Sequence, residues 1–183
     1  MTARREELLE KAYEFVLERG LAELSLRPLA QAIGSSPRVL LYLFGSKDGL
    51  VRALLARARL DELAALDDVS GEGLDATMAR LWEWLSAPTH RRLLVLWLEA
   101  YARSLVEPDG AWAGYARQTV EDWLDVLARA QPARERRTQA GLARRTAALC
   151  LLRGAMLDLL ATGDEQRVTR ALSKAAAPAP PAR

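Results

Sequence analysis

The chain has 183 residues, 50% of them apolar and 27% charged, a globular balance too rich in apolar side chains for a disordered protein. A single cysteine, Cys150, and a single histidine, His90, exclude an internal disulfide, a multi-cysteine zinc site and paired-histidine metal motifs, so neither metal nor cofactor is expected. The net charge of +2 names no partner, but it is unevenly spread: residues 1–60 hold ten Lys and Arg against seven Asp and Glu, while all five tryptophans lie after residue 80.

The first residues, Met1-Thr2-Ala3-Arg4-Arg5-Glu6-Glu7, lack the apolar core of a signal peptide. The longest strongly apolar run, residues 93–98, falls far short of the ~20 residues that cross a membrane. A soluble, cytoplasmic chain with no membrane partner is expected. Ala, Leu, Arg and Glu dominate, and no stretch alternates apolar with polar residues long enough for a strand, so the expected fold class is all-α.

Chain order gives the elements. A helix over residues 2–19 presents Leu8, Leu9, Ala12, Phe15 and Val16 at three- and four-residue steps, and Gly20 stops it. Ser25 is placed to cap a short helix over 26–33, with Pro28 in its first turn. Gly34, Ser35 and Ser36 make a turn; Ser36 caps a third helix that opens on Pro37 and ends near Phe44. Gly45 breaks the chain, and Ser46 caps a helix over 47–66. The Asp-, Gly- and Ser-rich stretch 67–73 reads as a domain boundary. Helices follow at 74–86, 89–106, 111–130 and 134–161, and Asp164 caps a last one that runs to 175. Residues 1–50 thus form an N-terminal head, 47–66 a connecting helix, 67–175 a helical second domain, and 176–183, with Ala-Pro-Ala-Pro-Pro, a disordered tail.

Residues 25–44 are a helix, a tight turn and a second helix, the layout of a helix-turn-helix. Leu29, Ala30 and Ile33 face inward, and Val39, Leu40 and Phe44 lock the second helix onto the first. That leaves Ser36, Pro37, Arg38, Leu41, Tyr42 and Leu43 for the outer face and first turn. An α-helix fits the major groove of DNA, where Arg38 has the geometry to pair with guanine O6 and N7. Lys47, at a helix start, adds charge to free backbone N–H groups and makes a phosphate site. The same helix pair, taken by its spacing alone, also suits a protein-interaction module.

The stretch from Ser25 to Leu50 resembles the signature of tetracycline-repressor-like (TetR-family) transcriptional regulators. That signature reads roughly Thr-[apolar]-Arg-x-[apolar]-Ala-x-x-x-Gly-x-Ser, then x-x-x-Leu-Tyr-x-x-Phe-x-Ser-Lys-x-x-Leu. Arg27, Ala30, Gly34, Ser36, Leu40, Phe44, Ser46, Lys47 and Leu50 match. The family's usual tyrosine stands as Leu41, with Tyr42 one place later; its frequent histidine stands as Leu43, and Ser35 replaces a common valine or threonine. The resemblance implies DNA contacts at Ser25, Arg27, Ser36, Pro37, Arg38, Leu41, Tyr42 and Lys47. It also implies a homodimer on a pseudo-palindromic double-stranded operator, a small-molecule effector bound beyond about residue 60, and repression relieved by that effector.

In the second half, Leu94, Trp97, Leu98 and Tyr101 form one apolar stripe, and Met78, Leu81, Trp82 and Leu85 another. Such stripes fit either core packing or a pocket for a flat apolar or aromatic molecule, with Trp84, Trp97, Tyr101 and Trp112 the pocket candidates. His90 is expected in solvent, and Glu99 in a surface pair with Arg103 at i,i+4. Ala143, Ala147, Cys150 and Gly154 make a smooth strip at steps of four, three and four. With Trp123, Leu124 and Leu127 that strip fits a four-helix dimer interface, or else a close intrachain pair. Arg153 and Asp158, charges in an apolar run, need partners. An enzyme is disfavoured: Glu99 is a lone carboxylate with no nucleophile–base pair, phosphate-cradling loop or metal cluster beside it.

Overall fold

The computed structural model of the chain describes residues 2–22, 24–68 and 73–176, and the expected tail lies outside them apart from Ala176. The described residues hold ten α-helices and no strand. The first four are α1 (Thr2–Arg19), α2 (Leu26–Ala32), α3 (Pro37–Phe44) and α4 (Lys47–Asp68). The next three are α5 (Leu74–Ser86), α6 (Arg91–Val106) and α7 (Tyr115–Ala130). Then come α8 (Ala133–Arg136), α9 (Gln139–Thr162) and α10 (Glu165–Ala176).

Local chemistry sets most of these boundaries. Ser36 Oγ accepts from Val39 N at 3.3 Å, and Ser46 Oγ from Gly49 N at 2.9 Å, so both expected caps close the first turn of a helix. After α2, Ser35 N donates back to Ala30 O at 2.8 Å and turns the chain sharply before α3. Asp164 Oδ1 accepts from Arg167 N at 3.0 Å and caps α10 as expected.

Helix α6, expected from residue 89, begins at Arg91 after a 3-10 turn over Pro88–His90, and three further features differ from expectation. Ser25 sits at the N-cap of α2 in extended conformation, but its hydroxyl makes no capping bond. The helix expected from 111 begins only at Tyr115: a separate 3-10 turn covers Gly110–Trp112, and Gly114, at φ +74°, takes a conformation a helix cannot contain. The long helix expected over 134–161 is interrupted. Thr138 Oγ1 accepts from Gly141 N at 2.9 Å and caps α9 afresh, while Arg136 turns back onto Gln131 O and Arg129 O, both at 2.8 Å. Good helix formers on both sides of Thr138 hid that break from composition.

By packing, the chain divides into two compact units that interleave along the sequence. The first contains residues 1–64 and 92–120; the second, 65–91 and 121–183. The expected boundary at 67–73 falls largely on residues outside those described. Within the first unit, Leu8, Ala12 and Val16 of α1, Leu29 and Ala30 of α2, Leu40 of α3 and Leu50 and Leu54 of α4 are buried. Arg57 of α4 bonds Glu10 at 2.7 Å, pairs with Asp61 and lies 4.8 Å from the Tyr13 ring, while Tyr13 Oη donates to Asp61 Oδ2 at 2.9 Å. This network ties α4 to α1 by charge as well as by burial. In the second unit, Leu81 and Leu85 of α5, Leu149, Leu152 and Met156 of α9 and Val168 of α10 are buried. Trp82 Nε1 donates to Thr169 Oγ1 at 2.8 Å, joining α5 to α10.

Candidate nucleic-acid interface

Helix α3 is only eight residues long, and its sides divide cleanly. Leu40 and Phe44 point into the head, whereas Leu41 is 41% and Tyr42 76% exposed. Arg38 and Ser36 are exposed and Pro37 is half-buried at the first helical position. Val39 departs from expectation: one residue before Leu40, it is rotated about 100° away from the buried row and is 39% exposed, so it adds to the outer face instead of locking the helix. Leu43 is half-buried. The outer surface of α3 therefore mixes one arginine with Val39, Leu41 and Tyr42, an apolar surface of the kind that meets thymine methyls.

Around it stand cations without intramolecular employment. Arg27 at the start of α2, Arg38 on α3 and Lys47 at the start of α4 are exposed, and none forms an ion pair among the described residues. By contrast, Arg4 and Lys11 both pair with Glu7, at 2.7 and 2.8 Å. Ser25 is exposed beside Arg27. Lys47 lies next to N–H groups of the first turn of α4, where the helix dipole also favours an anion.

Sequence reasoning missed Arg5. Its guanidinium lies 4.9 Å from the Phe44 ring centroid, which brings a cation from the start of α1 to the end of α3. The signal was present: Arg5 precedes Leu8 by three residues, on the row of α1 that continues through Ala12 and Val16 into the core.

The pocket candidates fall in different places. Trp97 and Trp112 are buried in the first unit, and Trp97 lies 5.1 Å from the half-buried Tyr101 at an interplanar angle of 36°. Trp84 belongs to the second unit and is half-buried. His90 is not the solvated residue expected: it stacks on Trp84 at 4.2 Å and 21°, with Nδ1 2.8 Å from the Trp84 carbonyl oxygen. The Glu99–Arg103 pair is also absent. Arg103 turns to Glu107 at 3.1 Å and to the Trp112 ring, and Glu99 reaches Leu21 N at 2.7 Å.

On α9, Ala143, Ala147, Cys150 and Gly154 are all exposed, with Leu151 and Leu157 beside them. Trp123 and Leu127 of α7 are 5% and 0% exposed; their side chains are already used in the core of the second unit and present no surface to another chain. Leu124 is half-buried. Asp158 has the partner it needs, two hydrogen bonds from Arg167 at 2.8 and 2.5 Å. Among the described residues no helix is long and apolar enough to cross a membrane, and no group of His, Cys, Asp and Glu has the arrangement of a metal site.

Residues 8–54 match the profile of bacterial regulatory proteins of the tetR family. Over 175 residues the chain is 31% identical to the HTH-type transcriptional repressor Rv1474c of Mycobacterium tuberculosis, covering 94% of this chain and 90% of that one. The chain belongs to the TetR family. As a TetR-family protein it is a transcriptional regulator with a helix-turn-helix, and not an enzyme. Its fold is that of a TetR transcription regulator from Haloarcula marismortui, with a TM-score of 0.72 at 20% identity over 96% of this chain and 95% of that one. A second similar structure is the multidrug binding protein EbrR complexed with proflavin, with a TM-score of 0.65 at 25% identity over 93% and 98% of the two chains.

Proposed function

We propose that the protein is a dimeric repressor that reads a pseudo-palindromic operator with α3 and leaves it when a small molecule binds beyond residue 60. The observation that carries this reading is the outer face of α3. Arg38, Leu41 and Tyr42 stand in solvent on a helix held rigidly by Leu40 and Phe44. Lodged in a major groove, Arg38 meets a guanine edge, Leu41 and Tyr42 meet thymine methyls or sugar, and Ser25, Arg27, Ser36, Pro37 and Lys47 hold the flanking phosphates. Residues 1–50 act as the reading head, 47–66 as the connector and 67–175 as the part that binds effector and pairs with a second copy.

The exposed strip of Ala143, Ala147, Cys150 and Gly154 supports pairing, because small side chains let a symmetry mate's helix approach closely, and Leu151 and Leu157 add apolar area at its edge. Repression is supported by the named activity of the curated relative, and a flat aromatic effector by the proflavin complex of EbrR. Tyr101, half-buried in the first unit beside the buried Trp97, retains surface for such a ligand, with the buried Trp112 a further candidate there, and the half-buried Trp84 is a separate candidate in the second unit. The effector works through its unequal affinity for the DNA-bound and released states, and operator DNA weakens effector binding by the same factor. Such a protein acts in the cytoplasm, beside the chromosome.

Fluorescence titration of the full chain against DNA selected from a random pool tests the reading. Sequence-specific binding that weakens steeply with salt is expected, because each neutralised phosphate releases counterions. A flat salt dependence without sequence preference assigns the helix pair to protein contact.

A further inference from the structure

The carboxylate of Glu99 crosses 78 residues of sequence to reach the end of α1. Its Oε2 accepts from Leu21 N at 2.7 Å. Gly20, at φ +81°, lies directly against it, so that a Cβ there would stand 3.1 Å from the same oxygen. Its other oxygen, Oε1, is buried with no hydrogen-bond partner. Arg92, two turns earlier on α6, approaches Glu18 of α1 at 4.0 Å.

This is costly chemistry for a mere packing contact. A negative charge at the C-terminal end of a helix opposes the helix dipole, and a buried charged oxygen without a donor loses its hydration uncompensated. What the link gains is position. Residues 92–120 belong to the same packed unit as the head, so Glu99 joins α6 to α1 within one body. The two ends of α1 hold different things: its start brings Arg5 over Phe44 of α3, and its finish is held by Glu99. From Arg5 to Arg19 the helix is about 21 Å long, at 1.5 Å per residue. A tilt of ~5° about the Glu99 end therefore moves the α3 end by ~2 Å, enough to spoil hydrogen bonds to bases.

We propose that Glu99 is a positioning residue for DNA binding: by gripping Leu21 N it sets the angle of α1, and so the angle at which α3 is presented to DNA. This rests on the operator-binding reading above.

The test uses the full-length protein, operator DNA selected from a random pool, and the same duplex with one base pair inserted between half-sites. The wild type binds the original tightly and discriminates against the insertion. Glu99→Ala binds the original about tenfold more weakly, the scale of a lost charged hydrogen bond. It also loses most of its preference for the original spacing. Glu99→Gln, whose amide oxygen still accepts from Leu21 N, restores both. Gly20→Ala, pressing on the same oxygen, weakens binding in the wild type more than in the Glu99→Ala background. Stoichiometric titration of the active fraction removes any contribution from misfolded protein. Unchanged affinity and spacing preference in Glu99→Ala overturn the proposal. So does weaker binding with the spacing preference intact, which would make Glu99 structural support alone. A wild type that binds no selected DNA instead overturns the operator reading itself.

Discussion

At the residue scale, function rests on which cations are already committed. Arg57 bonds Glu10 and pairs with Asp61, whereas among the described residues Arg38 and Lys47 form no ion pair, although composition alone treats all three alike. Arg38→Ala is expected to relax preference at one base pair per half-site by ~1–3 kcal/mol while leaving the salt slope nearly unchanged. Arg5→Ala acts differently, weakening all sequences equally and lowering the slope by about one. Binding measured on a set of single-base operator variants at several salt concentrations separates the two. The Tyr13–Asp61–Arg57 network predicts a pH effect. Burial, then the hydrogen bond to the Asp61 carboxylate, pushes the Tyr13 phenol well above its ordinary pKa. A raised folded-state pKa means that this contribution is full below about pH 10 and fades as pH climbs towards the folded value. Urea midpoints measured from pH 8 to 11 should therefore fall more for the wild type than for Tyr13→Phe.

At the element scale, caps decide where helices begin. Ser36, Ser46 and Asp164 are legible because each is a good cap residue set at or just after a glycine-containing break, and two of them directly follow a glycine. Thr138 is illegible for the opposite reason: Arg and Glu precede it and Ala follows within two residues, so nothing in the periodicity marks an end. Its role depends on Gly141 N lying within reach and on Glu135 O accepting its hydroxyl at 2.9 Å. Thr138→Ala should destabilise the protein by ~1 kcal/mol, read as a melting temperature lower by ~2–4 °C with DNA affinity unchanged. Ser25 shows the converse, a favourable cap residue whose side chain makes no capping bond.

At the scale of the whole molecule, the packed units do not follow the order of the chain. Residues 92–120 pack with the head although they lie far from it in sequence. The exposed strip on α9 is the surface on which the proposed dimer depends. Ala147→Arg should leave the monomer folded, because Ala147 is exposed, yet shift the protein towards monomer and abolish tight operator binding. Light scattering read alongside circular dichroism checks this. A protein that stays dimeric places the interface elsewhere.

The all-α class, the helix-turn-helix between Ser25 and Phe44, and the exposure of Arg38, Leu41 and Tyr42 on its second helix follow from the sequence, because each depends on neighbours within about four residues: caps, turn glycines and helical periodicity; Val39, expected inward, is the exception on that helix. Glu99 was misread for a complementary reason. Local spacing offers Glu99 a partner in Arg103, while its actual partner is 78 positions away and is brought near only by packing. Trp123 and Leu127 have the residue types of an interface, yet burial depends on which helices pack against them, and that is decided by the tertiary structure.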